Sequence, residues 1–208
     1  MSLSFLFAKG LVIGLSIAMP VGPIALLCIN RCLTVGTAAG LATGLGAAVA
    51  DGVYGAVAAF GIASVSLILL DQQDLIRALG GLGLIAIGLH MALKRPAEQA
   101  AISGLGGLLR TFVSSFLLTL ANPSTILSFI AVFAALGLAD RPGDVLAALI
   151  MVLGVFLGSA LWWLFLSGLI GRLRHKLGGA TLLWINRGSG AVLGLFGLLA
   201  LLSAFSSG

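Results

Sequence analysis

Three groups of residues in this chain of 208 could do chemistry. Asp51 is an acid alone in a long apolar run, the stretch from Ser16 to Asn30 contains Pro20, Gly22 and Pro23, and Leu120-Ala121-Asn122-Pro123-Ser124-Thr125 places an Asn-Pro pair inside another run. A lone carboxyl in apolar surroundings suits proton carriage or pairing with a cation. Proline removes a backbone donor and clashes one turn back, so a helix breaks there and exposes backbone N–H and C=O groups. Exposed backbone of that kind binds charge without a charged side chain.

The elements that must position these groups follow from composition. Hydrophobic residues make up 60% of the chain, charged residues 8%, and there are 30 glycines; mean hydropathy is +1.22. This is the composition of an all-α polytopic membrane protein. Before Asp71 only Lys9, Arg31 and Asp51 carry charge. The first apolar run is too long for a signal peptide and lacks a basic leader, so it is expected to be a retained helix. The net charge of +5 is spread between hydrophobic runs, where it reports topology rather than a nucleic-acid partner.

Spans of about 20 residues are needed to cross the hydrocarbon layer. Hydropathy predicts six of them, at 3–29, 38–67, 75–93, 111–138, 145–168 and 182–205. The first, third and fifth connections carry Arg31, then Lys94, Arg95 and Arg110, then Arg172, Arg174 and Lys176, with Arg187 at the next helix start. The second and fourth carry Asp71 and Asp74 with Arg77, and Asp140 and Asp144 with Arg141. By the positive-inside rule the basic loops lie in the cytoplasm and both termini outside.

The polar segment after Lys94 divides the chain into halves, 1–96 and 97–208, with three predicted spans each. An odd number of spans per half gives the halves opposite orientation, the inverted-repeat plan of secondary transporters. The first span of each half contains proline, and the third opens on an arginine with a glycine three residues on, Arg77 with Gly80 and Arg187 with Gly190.

Asn is a favoured helix cap and Pro a favoured first helical residue, so a half-helix should begin at Asn122 and another near Gly22 and Pro23. Two half-helix N-termini meeting near the midplane would present free N–H groups and partial positive charge to a carboxylate. Pro20, Val21, Gly22, Pro23, Asn122, Pro123, Ser124 and Thr125 are the candidate substrate contacts, with Tyr54 one turn after Asp51 as a hydroxyl donor. Kinked helices that merely shape the fold are the plainer alternative.

Asp51 is the only acid inside a predicted span, where a charge costs roughly 2.5–3.5 kcal/mol on insertion scales. Gly40, Gly44, Ala48, Gly55 and Ala59 form a small-residue stripe around it, which predicts that Asp51 faces the bundle interior. It could bond broken backbone nearby, but a neutral Asn would do that at lower cost, so Asp51 is the candidate proton-coupling group. Cys28 and Cys32 read best as buried inert thiols. No Ser-His-Asp set, metal-spaced cluster or phosphate loop occurs; neither an enzyme nor a bound metal or cofactor is expected.

At Gly14-Leu15-Ser16-Ile17-Ala18-Met19-Pro20-Val21-Gly22-Pro23-Ile24, at the helix of Gly40, Gly44, Asp51 and Gly52, and at Ala121-Asn122-Pro123, the sequence resembles the LysE/RhtB family of amino-acid exporters. The resemblance runs over essentially the whole chain. It implies export of amino acids across the bacterial inner membrane, driven by the proton gradient. Relatives in the wider superfamily move metal ions or pass electrons between cysteine pairs. A metal or inorganic-ion permease, or a thiol-redox carrier using Cys28 and Cys32, are therefore the rival readings. Glycine-rich faces serve packing within and between subunits alike, so a homo-oligomer is compatible with the sequence.

Overall fold

The computed structural model describes residues 2–59, 72–93, 105–122, 125, 128–129 and 145–205. Within them the chain is all-helical. Seven helices follow one another: α1 Leu3–Ala18, α2 Pro23–Thr34, α3 Thr37–Ala59, α4 Gln73–Leu93, α5 Leu105–Leu120, α6 Val145–Arg174 and α7 Gly179–Phe205. No strand occurs among the described residues.

Among the described residues four segments are long and apolar enough to cross a membrane: Thr37–Val57, Asp74–Leu93, Val145–Arg174 and Gly179–Phe205. Helices α1 and α2 qualify only together, as a pair bent by 78°. Helix α5 is a shorter apolar helix. Large apolar side chains stand exposed along α4 and α7, among them Leu82 and Leu89, Leu198 and Leu202. In water such a face would drive aggregation; in lipid tails it costs nothing.

Because lipid is as apolar as the interior, helices adhere by close contact rather than by hydrophobic burial. Glycine makes the contact possible. A Cβ on Gly81 would stand 2.6 Å from the Gly197 carbonyl oxygen, and one on Gly197 would stand 2.6 Å from that of Gly81. This pair, with Gly88 against Gly190, locks α4 to α7. Gly10 and Gly14 likewise lie on the backbone of Met151 and Val155, and Gly154 and Gly158 on that of Phe7 and Leu11, which locks α1 to α6. Helix α5 packs on α3, where Gly46 meets the backbone of Phe112 and Phe116. Helices α3 and α6 cross at the centre, antiparallel, through Gly44 with Trp163, Asp51 with Ser159 and Gly55 with Val155.

Several predicted boundaries shift. Helix α2 runs on to Thr34, beyond the expected end at residue 29, and a tight turn follows at Gly36, whose φ of 138° is in the left-handed region. Arg31 is therefore a helix residue and not part of a loop. The extension holds because its guanidinium finds acceptors on α3 and α5. Helix α5 begins at Leu105, so Arg110 also lies in a helix rather than in the connection. The predicted helix ends at residues 67 and 138 and most of the loop acids lie outside the described residues.

Candidate substrate site

Between α1 and α2 the helix stops for four residues, Met19 to Gly22. Gly22 is the N-cap of α2 in an extended conformation, and Pro23 is its first residue. Pro at this position sacrifices no hydrogen bond, since the first helical donors have no partner inside the helix. No side chain caps this end, and Ile24 and Ala25, the next two residues, border a small cavity. The second interruption follows α5, which ends at Leu120; Asn122 is not helical, and Thr125 is helical again. Pro123 and Ser124 lie outside the described residues.

The two interruptions face each other. A cavity of about 470 Å³ is lined by Pro20, Val21, Gly22 and Pro23 from the first and by Asn122 and Thr125 from the second. A smaller cavity of about 60 Å³ shares Pro20, Gly22, Asn122 and Thr125 with it and adds Asp51, Thr119 and Trp163. The larger volume is in the usual range for a small-molecule site.

Asp51 is 3% exposed. Its Oδ2 accepts a hydrogen bond from Ser159 Oγ at 2.6 Å, and Ser159 Oγ accepts one from Trp163 Nε1 at 3.1 Å. The carboxyl is thus held from α6 by neutral donors on one side and borders the small cavity on the other. Tyr54 donates its hydroxyl to the Leu120 carbonyl, and its ring packs on Phe129 with centroids 5.6 Å apart. That bond satisfies a carbonyl released where α5 ends, so in this conformation the Tyr54 donor serves the break. Both cysteines are fully buried, with Cys28 Sγ 3.5 Å from the Gly40 carbonyl and from Ser167 Oγ.

Other polar groups escaped the reading of the sequence. Ser159 belongs to a period-four stripe on α6, Val155, Ser159, Trp163, Ser167 and Gly171, all buried; that spacing was the available signal. Asn30 and Asn186 are fully buried and joined, Asn30 Nδ2 donating to Asn186 Oδ1 at 3.1 Å, while Asn186 Nδ2 donates to the Met91 carbonyl at 2.5 Å. Arg174 donates to the Thr34 carbonyl at 3.4 Å, at the C-terminus of α2. These contacts bring the ends of α2, α4 and α6 and the start of α7 to one end of the bundle, which carries Arg31, Arg110, Arg172 and Arg174.

A family model described as LysE type translocator matches residues 15–204. The chain belongs to the LysE type translocators. This translocator is a membrane transporter. It is 30% identical over 142 residues to the "uncharacterized membrane protein YahN" of Escherichia coli strain K12, an alignment covering 67% of this chain and 63% of that protein. It is 28% identical over 160 residues to the "putative amino acid efflux protein YcgF" of Bacillus subtilis strain 168, covering 76% of each. No solved structure matches.

Proposed function

We propose that this translocator exports amino acids from the bacterial cytoplasm by proton antiport, with alternating access around a site between its two helix breaks. The observation that carries this reading is the pair of adjoining cavities: residues of both breaks line each of them, and Asp51 borders the smaller. The N-terminus of α2 supplies free backbone donors for the substrate's carboxylate. Asp51 exchanges a proton for the substrate or for its ammonium group. The amino-acid cargo is supported by the name of the Bacillus subtilis relative.

The six-span plan is part of the same proposal. In it the α1–α2 pair forms one span, α5 continues past Asn122 as the fourth, and residues 1–96 and 97–208 form inverted halves. The packing supports this. First helix on second helix of the other half occurs twice, as α1 on α6 and α5 on α3. Second helices pair with each other as α3 on α6, and third helices as α4 on α7. Exchanging the halves leaves this list unchanged. The protein then lies in the inner membrane with both termini outside and the basic end of the bundle in the cytoplasm.

The test is an efflux screen in proteoliposomes over the twenty amino acids, with and without an imposed pH gradient. Efflux of at least one amino acid, accelerated by the gradient, is expected. Absence of efflux for all of them would refute the cargo, and efflux indifferent to the gradient would refute proton coupling.

A further inference from the structure

A third cavity, of about 460 Å³, opens at the basic end of the bundle. Arg31, Arg110 and His90 line it, together with an apolar wall that includes Leu27, Ile87 and Met91. Arg31 is half-buried and is held from α3 and α5: Nη1 donates to Thr43 Oγ1 at 3.1 Å and to the Thr111 carbonyl at 3.2 Å, and Nη2 donates to Ser114 Oγ at 2.9 Å. Every one of these acceptors is neutral. The two described carboxylates are engaged elsewhere, Asp51 with Ser159 and Asp74 with Arg77. A guanidinium has five donors, so two of them, on Nε and Nη2, have no acceptor among the described residues.

A half-buried cation with no counter-ion among the described residues is an expensive way to tie three helices together. A neutral Gln amide could make two of the three bonds without the cost of desolvating a charge. The arrangement makes sense if the missing anion arrives with a ligand. A guanidinium already oriented by three bonds offers its remaining fork to a carboxylate in a bidentate grip.

We propose that this cavity is the loading site of the translocator, that Arg31 binds the substrate's carboxylate there, and that the site selects amino acids with uncharged apolar side chains over basic ones. The second half of the proposal follows from what surrounds Arg31. Arg110 lies in the same cavity, and no acid lines it among the described residues, so a lysine or arginine side chain meets positive charge on approach. The apolar wall suits an aliphatic side chain. The inference rests on the export reading, because it makes the cytoplasmic end the end where cargo is loaded.

Binding is measured on the purified full-length protein by calorimetry with L-leucine, 4-methylpentanoate, L-leucinamide and L-lysine. Leucine and its des-amino analogue are expected to bind; the amide, which lacks a carboxylate, and lysine should be weaker by about tenfold or more. Arg31→Lys keeps the charge but loses the fork, and should weaken leucine about tenfold while binding of leucinamide does not change. A purely structural Arg31 would instead weaken both compounds together. If Arg31→Lys does not fold, Arg110→Gln decides the matter: Arg110 is exposed, and its loss should shrink the preference for leucine over lysine.

Leucinamide or lysine binding as well as leucine, or Arg31→Lys binding leucine like the parent protein, would overturn the proposal. The proteoliposome screen separates the two readings. Export without Arg31-dependent binding defeats only the loading site, whereas no export of any amino acid defeats the reading beneath it.

Discussion

The cavity at the helix breaks and the cavity at the basic end are nearly equal in size, about 470 and about 460 Å³, yet they handle charge in opposite ways. The first has no charged side chain among its described lining residues; its polarity comes from interrupted backbone, Asn122 and hydroxyls, with Asp51 set back in the small adjoining cavity. The second displays two guanidiniums and an imidazole. Between them lies a buried cluster in which Leu118 faces the breaks and Leu27 faces the basic end. The difference teaches how one zwitterion can be handled twice. In the proposed cycle a fixed cation would capture its carboxylate where water is near, and partial charges of backbone would hold it deeper, where a full charge would be costly to bury.

The change that should break this comparison most severely is Asp51→Asn. It removes the carboxyl that borders the breaks among the described residues, and gradient-driven efflux from proteoliposomes should fall roughly 30-fold or more, the scale of losing one partner of a buried charged pair. Membrane insertion and detergent extraction should be normal. Full retained efflux would sink the proton role.

Next in size is the double change Asn122→Ala with Pro123→Ala. Without a cap residue and a proline the second break should heal into continuous helix. Leucine binding at the breaks should then weaken by about tenfold or more, while the loading site of the basic end stays intact. Calorimetry that returned the parent affinity and stoichiometry would refute the paired-break site.

Asn186→Ala strips the buried Asn30 side chain and the Met91 carbonyl of their partner in one step. An unsatisfied buried polar group costs about 1–3 kcal/mol, so thermal unfolding in detergent should begin at lower temperature. The effect belongs to the basic end of the bundle, and an unchanged melting curve would show that the asparagine pair does not hold it together.

Smaller still is Ser159→Ala, which deletes the donor to Asp51. The expected loss is about 1 kcal/mol of restraint on the carboxyl, read as a several-fold fall in efflux rate under the pH gradient. Tyr54→Phe should cost the least, a stability decrease of about 0.5–1.5 kcal/mol from one lost bond to Leu120. A collapse of transport in Tyr54→Phe would instead make its hydroxyl a direct substrate contact.

Much of this was legible before any coordinates. Pro20 and Pro23 with Gly22 announced the first break because proline chemistry acts within one helical turn and needs no neighbour. The stripe of Gly40, Gly44 and Gly55 announced that Asp51 faces inward, since a lone carboxyl cannot face lipid. Arg31 was misread as a loop residue for the same reason that served elsewhere: a charge at the end of an apolar run normally marks the membrane edge. Its acceptors lie on Thr43, Thr111 and Ser114, on two other helices, and nothing near Arg31 in the chain reveals them.

The sequence by itself determined what depends on local chemistry: an all-helical membrane chain, the position of its first break, and the inward face of Asp51. Tertiary structure alone decided which groups meet. Ser159 finds Asp51 at a chain separation of 108, and Asn30 finds Asn186 at one of 156. In a membrane protein nearly every side chain is apolar whether it faces lipid or protein, so hydrophobic periodicity does not say which face packs on which partner. Glycines that let backbones touch, and a few buried hydrogen bonds, make that choice, and both act only once the helices are side by side.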